Sequence, residues 1–263
     1  MLRRIIKLVV SLAVHAFDVL AAGLRRLVGR EPDSRLVILY YHAVSNAHRH
    51  LFEWQMEHLV RAATPVALDG KPVTASKPLR VAVTFDDGFE SVVQNALPVL
   101  RRLGIPMVQF FPTGSWGSRP SWVRNPAHPS YTERVLGPDE LRTLASDPLV
   151  TIGSHSITHP RFPDLPPEVA MQEFAQSKSD LESVLQRPVE LFSFPHGAHT
   201  APLLAQARTA GYRRVFTVNP ECLPAGTEAF SLGRIAVDPD DWPIEFMLKI
   251  RGAYRWNAKR PTV

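Results

Sequence analysis

Cysteine is nearly absent from the 263-residue sequence, which contains Cys222 alone. A single thiol can form neither a disulfide framework within the chain nor a metal cluster made only of cysteines. The apolar content of 45% is too high, and the net charge of +5 too low, for a disordered chain. The composition therefore predicts a globular protein with one domain of the size at which barrel folds occur.

Acidic residues are scarce in the first thirty positions, where Asp18 accompanies six lysine and arginine side chains. The rest of the chain holds 24 basic and 24 acidic residues and is neutral. Binding to a nucleic acid requires a basic face on the folded domain itself. The neutral body therefore argues against a nucleic-acid partner.

Residues 1–30 are predicted to form an amphipathic helix, because apolar residues recur there at helical spacing. The opposite stripe consists of Arg4, Lys7, Ser11, His15, Asp18, Ala22, Arg25 and Gly29. A basic stripe opposite an aliphatic face favours a helix that lies in the membrane interface. We therefore expect a membrane-interface anchor over residues 1–30 and a separate folded domain over residues 31–263.

Three other interpretations of this segment stay open: a cleaved signal peptide, a membrane-spanning helix and a helix packed on the domain. His15 and Asp18 interrupt the apolar core that a signal peptide needs, and Asp18 disfavours a span. Arginines flank both ends of the segment and give no orientation bias. We favour the cytoplasmic face of the membrane because no cleavage site is visible.

From Arg35 onward, short apolar runs alternate with helical stretches. The predicted strands are 36–41, 81–85, 107–111, 150–153, 191–194, 214–218 and 234–237. The predicted helices are 53–63, 92–103, 138–145, 167–185, 201–210 and 244–253. Continuous apolar runs are typical of parallel strands that are buried on both faces. The alternation predicts an α/β fold, either a closed barrel or an open doubly wound sheet.

Two adjacent carboxylates, Asp86 and Asp87, follow the predicted strand 81–85 and precede Gly88. The ends of parallel strands are where active sites form in α/β folds. Adjacent carboxylates repel each other and ionise readily only when a cation or hydrogen bonds compensate them. A solvated turn that caps a helix is an equally good interpretation of this motif on its own.

Two histidines, His155 and His159, follow the predicted strand 150–153 four residues apart. If this stretch forms one helical turn, both imidazoles face the same way and can bind one metal ion. Together with one carboxylate they leave open positions on a zinc-like ion, which is typical of a catalytic site. This pair shifts the balance from the solvated turn towards a metal centre.

Two further histidines lie at predicted strand ends. His196 stands in a Pro-His-Gly turn after strand 191–194, where backbone N–H groups could point into the rim. His42 ends the first strand and is available there for proton transfer. An ordinary turn and a structural histidine are the alternatives.

These motifs resemble the polysaccharide deacetylases of carbohydrate esterase family four. The residues that carry the resemblance are Thr84-Phe85-Asp86-Asp87-Gly88, His155-Ser156-Ile157-Thr158-His159 and Phe194-Pro195-His196-Gly197. The similarity covers about residues 36–240, and the opening Leu39-Tyr40-Tyr41-His42 resembles the subgroup associated with exopolysaccharide assembly. It implies a distorted (β/α)7-type barrel that hydrolyses N-acetyl, and sometimes O-acetyl, groups on sugars.

The resemblance also implies a role for each matching residue. Asp86 becomes the general base, and Asp87, His155 and His159 become the metal ligands. The bound metal polarises the acetyl carbonyl, and Asp86 removes a proton from the attacking water. The backbone N–H of His196 would help to stabilise the oxyanion. Zinc suits these ligands best, although cobalt, nickel or iron could occupy the same site.

Several positions depart from the family pattern. Many members carry an arginine before the Pro-x-Gly turn that orients the base, and the nearest position here is Ser193. The residue inside that turn is commonly aromatic, whereas His196 stands here. A late Leu-x-His motif usually supplies the general acid, and Arg234 replaces its histidine. Because an amide leaving group must be protonated, His42 is the first candidate for the acid and His196 the second.

The sequence thus predicts a metal-dependent deacetylase that acts on N-acetylated sugars of a bacterial surface polysaccharide, an oligosaccharide or a lipid-linked precursor. An O-acetyl esterase or another amide hydrolase on the same metal site is one alternative, and an inactive glycan-binding scaffold is another. Aromatic side chains that could stack on sugar rings are Trp116, Trp122, Tyr131 and Trp242. Ordinary packing explains these four equally well.

Overall fold

The computed structural model describes residues 1–30, 33–69 and 77–258. Its α-helices are α1 (Leu2–Leu27), α2 (Arg49–Ala62), α3 (Leu97–Leu103), α4 (Pro138–Ala145), α5 (Pro167–Leu185), α6 (Ala201–Thr209) and α7 (Pro243–Ile250). Its strands are β1 (Arg35–Tyr41), β2 (Thr64–Pro65), β3 (Leu79–Phe85), β4 (Met107–Phe111), β5 (Val150–Ser154), β6 (Leu191–Ser193), β7 (Arg214–Thr217), β8 (Leu223–Pro224), β9 (Ser231–Gly233) and β10 (Ile235–Ala236).

The strands form one curled sheet in the order β10-β1-β3-β4-β5-β6-β7-β9, and every neighbour along this path is parallel. Strand β2 adds to β3, and β8 pairs with β1 in the antiparallel sense. The two ends of the path, β9 and β10, are consecutive in the chain and are separated by Arg234 alone. This arrangement confirms the predicted distorted barrel of the α/β class.

The strands match the predicted apolar runs because both faces of the sheet are covered. Inside the curl, Ile38, Ala82, Phe110, Phe216 and Leu232 belong to one buried cluster. A larger cluster packs the outer face of the sheet against the helices. Strands that are buried on both faces have continuous rather than alternating apolar runs in the sequence.

Two predicted elements differ from the structure. The strand predicted at 234–237 is shorter, because β10 covers Ile235–Ala236 and Arg234 separates it from β9. The single helix 92–103 begins instead as a π-helical turn over Val92–Ala96 and continues as α3. Pro98 accounts for this irregularity, because its ring cannot donate the regular backbone hydrogen bond in a helix interior.

Helix α1 lies against the outside of the barrel. Most of the middle of its predicted polar stripe faces the domain, where Ser11 is completely buried and Arg4, His15, Asp18 and Ala22 are half-buried. Lys7, Arg25 and Gly29 of the same stripe are exposed. Its exposed large apolar side chains are Leu2, Ile5, Ile6, Val9, Leu12, Phe17, Val19, Leu20, Leu24 and Leu27. Within the described residues, α1 is the helix long and apolar enough to cross a membrane, with a mean hydropathy of 2.0.

Candidate active site

Asp86 and Asp87 lie at the carboxyl end of β3, and both are buried, with exposed fractions of 3% and 5%. Asp87 and Gly88 both have left-handed backbones, with φ of 70° and 65°. A Cβ on Gly88 would lie 2.4 Å from the ring of Phe111, so glycine is required at this close approach. Because both carboxylates are buried, the solvated-turn interpretation is wrong.

The two predicted histidine ligands follow β5 in a loop, and not in the helical turn that was considered as one way to bring them together. Ser156 and His159 have left-handed φ values of 70° and 59°, which reverse the chain between the two imidazoles. The buried carboxylate of Glu173 on α5 accepts hydrogen bonds from the backbone N–H groups of Ile157 and Thr158, at 2.7 and 3.1 Å. The four-residue spacing of the histidines contains no information about this distant carboxylate, so it could not reveal the loop.

Asp87, His155 and His159 converge as predicted. Asp87 Oδ1 lies 3.6 Å from His155 Nε2 and 3.3 Å from His159 Nε2. One potential ligand atom from each side chain falls within 4.8 Å of the others. The Nδ1 of His155 is 2.8 Å from the carbonyl oxygen of Ser193. This contact favours the tautomer that keeps the Nε2 lone pair free for a ligand bond.

This donor set fits a divalent cation. Among the residues that the structure describes, Asp87 Oδ1 is buried and accepts no hydrogen bond. A buried carboxylate oxygen without a partner is unfavourable unless a cation compensates it. Burial lowers the pKa of His155 to about 4, so this imidazole is neutral near pH 7 and has a lone pair to offer. Two nitrogens and one carboxylate oxygen match the ligands of catalytic zinc sites.

Arg234 holds the second carboxylate of the pair, Asp86. Its Nη1 and Nη2 atoms donate to the two oxygens of Asp86 at 2.7 and 2.8 Å, in a buried bidentate ion pair. Its guanidinium carbon lies 4.7 Å from the ring centroid of Tyr40 and 5.4 Å from that of Phe110. Burial acts to raise the pKa of Asp86, but the charge of Arg234, aided by His155, holds it well below its usual value. Asp86 is therefore an ionised carboxylate in a fixed orientation.

Sequence reasoning missed this role of Arg234. It interpreted Ser193 as the position where the orienting arginine of the family is missing. Separately, it interpreted Arg234 as the position where the histidine that acts as general acid is missing. In the structure, the Nη2 of Arg234 also donates to the Ser193 hydroxyl at 2.7 Å. The two departures lie in contact, and a guanidinium from the β9–β10 junction orients the carboxylate of Asp86, the proposed base. The occurrence of both departures in one sequence was the only sign there that Arg234 takes over the role of the arginine expected near Ser193.

His42 and His196, the two candidates for the general acid, are both exposed at the site. The ring of His42 lies edge-on to Tyr40 at 5.7 Å, and His42 contributes to lowering the pKa of both Asp86 and Asp87. The ring of His196 lies 4.7 Å from that of His159. Burial lowers the pKa of His196, and His159 adds to this effect.

The four predicted sugar-stacking residues are distributed unevenly. Trp122 is stacked on the ring of His159 at 4.5 Å, with 19° between the planes, and so borders the site. Trp116 packs partly buried against the core, and Tyr131 lies beside Arg119. Trp242 lies under the guanidinium of Arg4 on α1, at 4.4 Å. Trp122 is thus the aromatic side chain that the geometry joins to the predicted ligands.

Comparison with known proteins places this site in a family. The model of the family described as polysaccharide deacetylase matches residues 74–215. The protein YxkH of Bacillus subtilis (strain 168) is 25% identical over 220 residues, which cover 80% of this chain and 74% of YxkH.

Solved structures agree with this assignment. The structure of IcaB from Ammonifex degensii has a TM-score of 0.69 at 25% identity and covers 83% of this chain and 98% of that chain. The Streptococcus pyogenes deacetylase PplD, in complex with acetate, has a TM-score of 0.66 at 20% identity and covers 83% and 99% of the two chains. The resemblance inferred from the motifs is thereby confirmed. The chain belongs to the polysaccharide deacetylase family and is a deacetylase enzyme.

Proposed function

We propose that this enzyme is a metal-dependent hydrolase that removes N-acetyl groups from amino sugars of a bacterial surface polysaccharide or its precursor. One observation carries the proposal: the buried pair of Asp86 and Arg234 lies beside the convergent Asp87, His155 and His159. An oriented carboxylate next to an open cation site is the arrangement that activation of water requires. A binding scaffold has no need of it.

In this proposal Asp87, His155 and His159 hold a divalent cation, with zinc as the best match to these ligands. When bound, the cation supplies a Lewis acid that polarises the acetyl carbonyl and makes a nearby water more acidic. Asp86 accepts the proton of the attacking water, and Arg234 keeps this carboxylate ionised and aimed. The backbone N–H of His196 is the proposed donor to the developing oxyanion.

The leaving nitrogen requires a proton, and His42 is the proposed donor. Arg234 occupies the position of the late histidine and is engaged with Asp86, so it has no proton to transfer. His42 is exposed and interacts electrostatically with both carboxylates. An acid at this position favours an amide over an ester, because an alkoxide departs with less need of protonation.

The experiment that tests this function is acetate release from N-acetylglucosamine oligomers, with and without a chelator. We expect release that stops with the chelator, returns with added zinc and is abolished by Asp86→Asn, which preserves the shape of the side chain. Asp139→Asn on the exposed start of α4 is the matched control and should behave as wild type. Release that is insensitive to both the chelator and Asp86→Asn would refute the mechanism. Acetate release from an O-acetylated sugar but not from the N-acetylated oligomers would identify an esterase.

We also propose that α1 associates the enzyme with a membrane. The support is the exposed apolar face, on which Phe17 and Leu20 have exposed fractions of 69% and 68%. A face of this kind in contact with water is unfavourable and is typical of a helix that binds lipid. An N-terminal anchor would keep the enzyme near glycan intermediates that are themselves held at the membrane.

Flotation with phosphatidylcholine–phosphatidylglycerol vesicles tests this association. We expect the wild-type protein to float with the vesicles and Leu20→Glu to remain largely in the soluble fraction. Val169→Glu on α5 is the matched control, because it also replaces an exposed apolar residue, 37% accessible, on a helix surface. Equal flotation of Leu20→Glu and Val169→Glu would contradict the proposal.

A further inference from the structure

Helix α1 is attached to the barrel largely through polar groups, which is the reverse of an ordinary surface helix. The partly buried Leu8 and Val14 add apolar contacts with the core. Asp18 accepts two hydrogen bonds from Arg255, at 2.8 and 2.9 Å, and one from Arg35 at 3.0 Å. Two helical turns before Asp18, the Ser11 hydroxyl accepts a hydrogen bond from Trp256 Nε1 at 2.9 Å. A helix that packs on its own domain normally buries its apolar stripe. Here the apolar stripe is left facing outward.

The amino-terminal end of α1 is held in the same way. Arg4 donates to the buried carboxylate of Glu245 from Nε at 2.8 Å and also covers the ring of Trp242. The contacts at Arg4, Ser11 and Asp18 therefore follow one stripe along about four helical turns, roughly 20 Å. The domain lies alongside α1 over this length, so lipid cannot surround the helix without breaking all of these contacts.

The same contacts fix the direction of α1 relative to the barrel. Asp18 meets Arg35, the first residue of β1, whereas Arg4 meets the segment that follows β10. Helix α1 therefore runs antiparallel to β1 and β10, with its amino terminus at the strand ends that carry the active site. A groove of about 580 Å³ at this end contains Arg3 and Lys7 and reaches Tyr40, the neighbour of His42.

Basic side chains border the exposed apolar face. Arg3 and Lys7 are one turn apart, and Arg26 lies near the carboxyl end; all three are exposed and have no hydrogen-bond or ion-pair partner among the described residues. Cations beside an apolar face are complementary to anionic lipid headgroups. They would instead repel one another across an interface between two copies of this helix. The charge therefore favours a lipid surface as the occupant of this face.

We infer that α1 lies flat in the interface of an anionic bilayer, while its polar stripe stays bound to the barrel. The axis of the barrel then runs along the membrane plane, and the rim with Asp86 and His42 opens sideways beside the lipid headgroups. Sugars held close to the membrane are thus brought level with the site. This inference rests on the proposed membrane association and adds the orientation to it.

Depth-dependent fluorescence quenching tests the orientation in the full chain. Cys222, which is half-buried, is replaced by serine, and a fluorophore is attached at Ile5→Cys, Leu12→Cys or Leu20→Cys, all on the exposed face. Ser179→Cys on the exposed side of α5 is the control. The probe membrane is a phosphatidylcholine–phosphatidylglycerol vesicle that carries bromine at a shallow or a deep acyl position. Circular dichroism melting of each variant verifies the fold.

We expect the three labels on α1 to report the same shallow depth and the Ser179 label to be unquenched. A label at Leu12 that lies much deeper than those at Ile5 and Leu20 would indicate a spanning helix and would overturn the inference, while membrane association itself would stand. Failure of every variant and of the wild type to bind vesicles would remove both proposals. Dimerisation in solution with no vesicle binding would identify a second copy as the occupant.

Discussion

Arg234 carries a charge that determines the state of Asp86. Replacement by lysine keeps a cation but loses the two parallel hydrogen bonds, so the pKa of Asp86 rises and its orientation loosens. We expect Arg234→Lys to lower kcat by about 10- to 100-fold and to move the acid limb of the kcat–pH profile to higher pH. Arg214→Lys, at a half-buried arginine of β7, is the control and should leave this limb in place.

A purely structural arginine would lower kcat without moving that limb, and this result would contradict the positioning role. Arg234→Met tests the electrostatics separately, because it leaves a buried carboxylate without its counter-ion. We expect it to reduce the free energy of unfolding by about 3–5 kcal/mol, measured by urea denaturation. Wild-type stability in this variant would mean that Asp86 does not depend on the guanidinium.

His42 is the proposed proton donor to the leaving group, and amides need such a donor more than activated esters do. We expect His42→Asn to lower the rate on an N-acetylated sugar by about 100-fold or more, and the rate on 4-nitrophenyl acetate far less. Initial rates on the two substrates, measured at the same pH, give the ratio. His50→Asn, at an exposed histidine of α2, is the control. If both rates fall by the same factor, the acid lies elsewhere, and His196→Asn is the next variant to measure.

Helix α5 supports the histidine loop from outside the site. Glu173 binds two backbone N–H groups and the hydroxyl of Thr158, the last at 2.6 Å, between the two predicted ligands. Groups that orient ligands in this way commonly contribute 10–100-fold to metal affinity, and we expect Glu173→Ala to weaken zinc binding by about that factor. Competition with a chromophoric chelator measures it. Glu168→Ala, exposed in the first turn of α5, should bind zinc as wild type does.

Element boundaries were predicted best where glycine or proline marks them. Strand β4 and helices α4 and α5 have the predicted ends, with proline at the start of each of these two helices. The conformation of the histidine loop could not be predicted, because its left-handed residues, Ser156 and His159, are not glycines. Its conformation depends on Glu173, which no local pattern connects to it.

The site was only partly predictable for a similar reason. Asp86, Asp87, His155 and His159 could be found because each pair follows one strand within a short motif. The function of Arg234 could not be predicted, because it depends on contacts with Asp86, which is 148 positions away, and with Ser193, which is 41 positions away. Motif spacing identifies residues that the end of one strand brings together, whereas a contact across the barrel forms only when the whole sheet has curled.

The whole protein should lose stability as the pH falls from 7 to 5. Burial lowers the pKa of His155 to about 4 and also lowers the pKa of His15 and His196. The unfolded chain binds protons at these histidines below about pH 6.5, whereas the folded chain resists them, so acid favours unfolding. Urea unfolding of the chelator-treated protein at several pH values measures this dependence. His155→Asn should make it shallower, and a flat profile for wild type would contradict the prediction.

The position of Arg234 between β9 and β10 has a consequence for biosynthesis. Asp86, Asp87, His155 and His159 all leave the ribosome before Arg234. A nascent polypeptide therefore carries every proposed ligand before the guanidinium that orients Asp86 has been synthesised. The proposed site is thus complete only after synthesis of the residue that joins the two edges of the curled sheet.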